Sequence, residues 1–192
     1  MTGRISRATA AWYSRNASLY DRVVTHGFLR LATAGGGRDV IAELAASVAC
    51  RGGEATPVLD VPTGTGEYLP FLPQRVVGAD LAEGMLHEAA NRVKGVPLVR
   101  ADVFSLPFGD ASFGTAFTSL GLQLLPKPRQ AVAEMSRVLR PGGKIYGAVP
   151  VGMFSRFVTL QALRAALKVP GISLTRLARH RWLVVFEATR DC

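Results

Sequence analysis

Apolar and polar positions follow two rhythms along this chain. Between Ala8 and Ala34, Trp12, Leu19, Val23, Val24, Phe28 and Leu31 recur at roughly helical spacing. They predict one or two helices before the break at Gly35-Gly36-Gly37. Arg38–Ala49 resumes as a helix, with Val40, Ile41, Leu44 and Val48 on one side. From Val58 the rhythm changes. The run opening at Val58, then Arg75–Ala79, Val96–Ala101, Ser112–Ser119 and Lys144–Val149 are short apolar runs bounded by turn residues, the pattern of buried strands. Helices are expected between them. Glu67–Leu72 is a short one limited by Pro70 and Pro73, and Leu81–Lys94 follows. Lys127–Leu139 carries Ala131, Val132, Met135, Val138 and Leu139 on its buried side. Met153–Lys168 has a wide apolar face, with Arg156, Arg164 and Lys168 opposite. Ile172–Leu177 and Leu183–Ala188, with Arg179-His180-Arg181 between, predict an antiparallel hairpin at a sheet edge.

Strands alternating with helices predict an α/β fold, a Rossmann-like doubly wound sheet. It is expected to be mostly parallel, with a terminal antiparallel hairpin and N-terminal lid helices. One domain covers residues 1–192: a lid segment over 1–56, a ligand-binding core over 57–149, and a helix with an edge hairpin over 150–192.

The candidate chemistry sits where the first strand breaks. Val58-Leu59-Asp60-Val61-Pro62-Thr63-Gly64-Thr65-Gly66-Glu67 runs from apolar strand to acid to a turn with two glycines. Glycines there let backbone N–H groups approach a ligand closely. Asp80 ends the second strand 20 positions after Asp60, where an acid binds ribose hydroxyls. A dinucleotide fingerprint wants G-x-G-x-x-G, and its third glycine is Leu69 here. Asp60 would also repel a pyrophosphate. S-adenosylmethionine has no phosphate and carries a cationic amino group and a sulfonium, so a carboxylate beside the turn suits it.

Composition narrows the setting. Hydrophobic content of 48% and charged content of 19% fit a folded globule. No apolar run approaches the ~18 residues of a membrane span, and Met1–Ala11 has no apolar core of a secretory signal. Cys50 and Cys192 are too few and too far apart for a disulfide framework or a metal cluster, so a reducing cytoplasm is expected. The net charge of +9 is uneven. Residues 1–56 hold 7 Lys/Arg against 4 Asp/Glu, residues 57–149 hold 9 against 8, and residues 150–192 hold 7 against 2. An excess outside the core suits an acidic substrate, an anionic membrane surface or RNA. Arg-rich usage, 19 Arg to 4 Lys, accounts for it equally well as coding bias.

Four segments in order carry a resemblance. They are Val58–Gly66, Val77–Leu86, Ala101–Phe108 and Arg137–Lys144 with its Pro141-Gly142-Gly143 turn. Together they resemble the class I S-adenosylmethionine-dependent methyltransferases, over about residues 12–149. The closest likeness is to the branch of ubiquinone/menaquinone-biosynthesis and other small-molecule methyltransferases. Tyr20-Asp21 is similar to the helix preceding the cofactor site in the quinone branch. The resemblance implies S-adenosyl-L-methionine as cofactor and methyl transfer to a small-molecule acceptor. It implies that Asp60 serves the methionine amino group, directly or through the loop, and that Thr63, Gly64, Thr65 and Gly66 bring the backbone close to the methionine portion. Asp80 would take both ribose hydroxyls, Leu81 and Met85 would flank adenine, and Asp102 would accept from the adenine amino group near the Val103 amide. Ser119 or Leu120 would face the methionine end, and Tyr20 would close over the site.

Departures from the family also stand out. Pro62 replaces a frequent Gly, Thr63 a frequent Cys, Gly114 a frequent Asp, and Gln123, at the expected cleft edge, a frequent His. Tyr13, Tyr20 and His26 lie on the proposed lid. His26 and Tyr20 are the candidate catalytic groups, His26 as base if the acceptor must lose a proton. Two other readings come from different classes: a cofactor-binding cyclase or regulatory homologue that transfers no methyl, and an RNA methyltransferase. Nothing points to DNA. Against RNA stands the lack of an Asn/Asp-Pro-Pro-aromatic tetrad after strand four. Peripheral membrane contact through Met153–Lys168 is a further expectation, set against that face being core. Oligomeric state is left open.

Overall fold

The computed structural model describes residues 7–20, 23, 36–51, 56–151 and 159–192. Its elements are α1 (Arg7–Arg15), α2 (Ala17–Tyr20), α3 (Gly37–Arg51), β1 (Val58–Asp60), β2 (Val76–Asp80), α4 (Glu83–Arg92), β3 (Leu98–Arg100), β4 (Phe113–Ser119), α5 (Pro128–Val138), β5 (Leu139–Pro150), α6 (Leu160–Leu167), β6 (Ile172–His180) and β7 (Leu183–Arg190). Among the described residues the strands form one sheet in the order β3-β2-β1-β4-β5-β7-β6. The first five are parallel to their neighbours. β7 runs antiparallel between β5 and β6. The doubly wound sheet with its terminal hairpin is therefore as the sequence predicts. Strand order reverses at β1 and β4, which opens a crevice at the carboxyl ends of the strands.

The apolar runs are continuous because both sheet faces are covered. Leu59, Ala116, Ile145 and Val184 face one side and pack with Val132 and Met135 of α5 and Leu163 and Leu167 of α6. Val58, Phe117, Tyr146 and Val185 face the other and pack with Ile41, Ala45 and Val48 of α3 and Ala89 of α4. Neighbours along each strand thus alternate between the two cores. The apolar face of α6 is buried in the first core, so that part of the expected Met153–Lys168 helix is core-facing; residues 152–158 lie outside the described residues.

Several boundaries differ from the sequence reading. The expected helix Glu67–Leu72 is only a 3-10 turn, Leu69–Phe71. Pro70 has no N–H to continue it, and the chain is extended again at Leu72. The turn expected at Arg140–Lys144 lies inside β5. Phe113 pairs with Leu139, but Thr115 pairs with Lys144, so Arg140–Gly143 loop out of the ladder with Gly142 at φ 74°. Arg190 closes the spot by donating to the carbonyls of Ser136, Arg137 and Leu139 at the end of α5. The hairpin strands are longer than expected. Arg179 and His180 belong to β6, and only Arg181-Trp182 connect it to β7. Gly114 has its own reason: a Cβ there would collide with the Thr56 side chain.

α1 docks on the start of α4. Gly84 N–H meets Ser14 Oγ at 3.3 Å, and a Cβ at Gly84 would run into the Ser14 carbonyl. Ala17 joins Ala82 and Met85 in a small satellite core. Gly84→Ala should therefore lift α1 while sparing the sheet. The expected result is several-fold faster proteolysis near α1, with the main unfolding transition moved by less than about 1 kcal/mol. Unchanged cleavage would show that α1 is not held there.

Candidate active site

The turn after β1 is fixed by hydrogen bonds to three strands. Val61 N–H donates to the Phe117 carbonyl at 2.9 Å, and Thr63 N–H to the Ala79 carbonyl at 2.8 Å. Gly64 N–H donates to Asp80 Oδ2 at 2.9 Å. The other Asp80 oxygen, Oδ1, accepts from Ala82 N–H at 2.9 Å. Thr63 Oγ1 donates to Asp60 Oδ2 at 2.6 Å. Gly64 and Gly66 have φ of 55° and 73°, a region that favours glycine. The space beside Gly64 is open, whereas a Cβ on Gly66 would lie 2.9 Å from that of Ala89. Gly64 thus keeps the backbone bare toward the crevice, and Gly66 lets the turn pack on α4.

The crevice is a half-open cavity at the carboxyl ends of the strands. Of the residues singled out from the sequence, it brings together Thr63, Gly64, Thr65, Asp80, Leu81, Met85, Ser119 and Leu120. Asp60 and Gly66 stand behind this wall rather than in it. Asp102 lines a neighbouring recess, which shares Leu81 and Ala10 with the main cavity. Asp102 accepts from Phe104 N–H at 3.0 Å. The Val103 side chain is in the core, so Val103 can offer a ligand only its amide. The Tyr20 side chain and His26 lie outside the described residues. Gln123 is not at the cleft edge. It is buried, and its Nε2 donates to the Leu120 carbonyl at 2.5 Å, bracing a residue at φ 52°.

Sequence reasoning placed Tyr13 only on the lid, and missed Glu67, Tyr68, Leu124 and Leu125. Tyr13 of α1 reaches into the cavity. Burial, and then the charge of Asp80, push its phenol up, so it stays protonated as a donor. Glu67 lines the cavity and pairs with Arg38 of α3 and Arg92 of α4. Arg92 Nε also donates to the Thr65 carbonyl at 3.1 Å, clamping the turn to α4. Tyr68, Leu124 and Leu125 add apolar wall. The only signal for Glu67 was its place directly after the glycine turn.

Both strand-end acids are held up by their surroundings. Burial raises Asp80, against the lowering effect of its backbone hydrogen bonds. Burial raises Asp60 to about 7; the Thr63 hydrogen bond opposes this and the charge of Asp80 adds to it. Asp60 Oδ1 is buried without a hydrogen-bond partner. An acidic pair behind an open glycine backbone suits a ligand with ribose hydroxyls and a cationic end, and repels a pyrophosphate.

Residues 59–147 match the methyltransferase domain family. A demethylmenaquinone methyltransferase of Clavibacter sepedonicus is 35% identical over 142 residues, 71% of this chain and 55% of that protein. The matched residues form a methyltransferase domain. The match spans about half the length of the curated relatives. In fold, the methyltransferase domain is similar to the [4+2]-cyclase SpnF, with a TM-score of 0.73, 16% identity and coverage of 93% of this chain and 97% of that one. It is also similar to an S-adenosylmethionine-dependent methyltransferase of Thermotoga maritima, with a TM-score of 0.69, 18% identity and coverage of 93% and 98%. Among the described residues, no helix is long and apolar enough to cross a membrane.

The raised Asp60 sets a pH dependence. Its folded value, about 7, lies above the ordinary carboxylate value of 3.8, so the folded state binds the extra proton between those limits. Stability from this group is present below the lower value and is lost as pH rises through the upper one. Asp60→Asn should remove that loss. In denaturant titrations the variant is expected to gain on the wild type from pH 5 to pH 8, by on the order of a few kcal/mol. A constant difference across that range would contradict the buried, proton-holding Asp60.

Proposed function

We propose that the domain transfers a methyl group from S-adenosyl-L-methionine to a small, largely apolar acceptor, a quinone-like ring being the class suggested by its curated relatives. The observation that carries this reading is Asp80, which ends β2 at the cavity wall beside the bare backbone of Gly64. Each Asp80 oxygen already accepts one backbone N–H and keeps a lone pair for a ribose hydroxyl. The unsatisfied Asp60 Oδ1 behind the turn fits the cofactor's cationic end.

The cofactor supplies an activated methyl on a sulfonium, whose departure leaves a neutral thioether. The chain's work is to place the two reactants and exclude water. Leu81 and Met85 would hold the adenine, with Asp102 and the Val103 amide beyond them. Gly64, Thr65 and Gly66 carry the backbone past the methionine portion, Asp60 answers its amino group through Thr63, and Ser119 and Leu120 close that end. Pro62, Leu120, Leu124 and Leu125 leave an apolar opening for the acceptor. Tyr13 covers the site from the lid; Tyr20 would join it, and His26 would be the base where the acceptor must shed a proton. Exposed thiols at Cys50 and Cys192 fit a cytoplasmic setting.

Asp80→Ala should weaken S-adenosylhomocysteine binding by about 100-fold or more in calorimetry, from two lost hydrogen bonds to a charged group. Unchanged affinity would refute the placement. Methyl-labelled cofactor offered with quinol-type acceptors should label the acceptor. Tight binding with no label on any acceptor would point instead to a cyclase-like or regulatory homologue.

A further inference from the structure

Among the described residues, the cavity wall carries two acids, Asp80 and Glu67, and no Lys, Arg or His. The methionine end of the cofactor is a zwitterion, so both an ammonium and a carboxylate have to be met. On the functional reading above, Asp60 meets the ammonium, and the carboxylate has no partner in the wall. Arginines reach the wall from behind at two places. On the adenine side, Arg100 Nε donates to the Leu81 carbonyl at 3.3 Å, and its Nη1 to Glu83 at 3.3 Å. At the glycine turn, Arg38 and Arg92 each bind one oxygen of Glu67. Two guanidiniums against one carboxylate leave a surplus of one positive charge there, next to Gly64-Thr65-Gly66.

The two arginines at the turn are not equivalent. Arg92 also donates from Nε to the Thr65 carbonyl at 3.1 Å, so it is committed to shaping the turn. Arg38 comes from the first turn of α3, and its side chain is 47% exposed. Among the described residues, Glu67 is its hydrogen-bond partner, held through Nη2. A guanidinium has five N–H donors in a planar fork, so Arg38 keeps donors for a second carboxylate. Glu67 itself is buried and lines the cavity beside Thr65. It holds the Arg38 guanidinium one side chain away from the ligand space.

We propose that Arg38 binds the α-carboxylate of the cofactor's methionine end, and that Glu67 is the positioning residue that presents Arg38 to the cavity. The inference rests on the functional reading above and adds the anionic half of the zwitterion to it. Both Glu67 oxygens are taken by guanidiniums, so its charge is already matched and what reaches the ligand is the surplus cation. The two charges of the ligand then have separate partners, the ammonium toward Asp60 through Thr63 and the carboxylate toward Arg38. Arginine–carboxylate pairs are charge-assisted and often bidentate. An adenosine thioether that lacks the carboxylate would leave Arg38 without its counterion, so the pair selects the amino-acid form of the ligand.

The test is calorimetry of the full chain with three thioethers. S-adenosylhomocysteine has the whole zwitterion, its decarboxylated analogue keeps the amine without the carboxylate, and methylthioadenosine has neither. The wild type should bind S-adenosylhomocysteine about ten-fold more tightly than the decarboxylated analogue, the scale of a charge-assisted pair on a half-exposed side chain. Arg38→Gln should bring that ratio to about one, with the two ligands that lack the carboxylate bound as before. Glu67→Gln should lower the same ratio, whatever it costs all three ligands by loosening the turn. A purely structural role would weaken the three alike and leave the ratio untouched. Thermal unfolding verifies that each variant is folded, and Arg38→Gln serves alone if Glu67→Gln does not fold. A wild-type ratio near one, or a ratio that Arg38→Gln leaves unchanged, would overturn the proposal. A chain that binds none of the three defeats the functional reading and the carboxylate site with it. One that binds all three alike defeats only the carboxylate site.

Discussion

The structure depends on one knot, in which two buried carboxylates hold a glycine turn. Asp80 takes Gly64 N–H and Asp60 takes Thr63 Oγ1, while Thr63 N–H closes onto Ala79. The ends of β1 and β2 cannot separate without undoing the Gly64–Asp80 and Thr63–Ala79 bonds. Glu67 and Arg92 then tie the turn to α3 and α4, so both helices on that face are located by the same few residues. Removing two carboxylates from water is costly, and burial is the leading influence on each. What offsets the cost is local: backbone donors for Asp80 and a hydroxyl for Asp60. One acid thus has a backbone donor on each oxygen and faces the cavity, while its neighbour keeps an open oxygen behind the wall.

The fold was legible because its strands are covered on both faces, which writes them as unbroken apolar runs that composition alone separates from the helices. β6 was read too short because most of its residues are exposed, so no buried face marks its extent. The loop inside β5 was read as a turn before a strand, since Pro141-Gly142-Gly143 reports local conformation and says nothing of Leu139 pairing with Phe113 beyond it. Of the eight gathered wall residues, Gly64 and Asp80 were readable from spacing, because they stand at strand ends and a parallel sheet brings strand ends together; the other six were read from the family resemblance. Glu67 was not, and Tyr13 was read only as a lid residue with no place in the cavity wall. Glu67 is partnered by Arg38, 29 positions away, and by Arg92, 25 positions away. Tyr13 reaches the cavity only because Gly84 lets α1 sit close. Both depend on packing between distant segments, which no local pattern encodes.

The two halves of the crevice differ in chemistry because they are built from different halves of the sheet. On the β2–β3 side the chain places Asp80, Glu83 and Asp102 close together, with α1 above them. On the β4–β5 side the wall is Leu120, Leu124 and Leu125, and acids are absent from the segments around it. Pro62 marks the border. The family's frequent glycine there would present a backbone donor. Here the ring stands in its place and packs on Gly121, where any Cβ would collide with it. The loss of a donor at Pro62 and the lack of a side chain at Gly121 are therefore one substitution in two parts. Together with Gln123 holding the Leu120 carbonyl inward, they turn polar groups away from the β4 side of the wall. The departure that looked least like the family in sequence is what makes the acceptor side of the cavity apolar, while the adenosine side keeps its carboxylates.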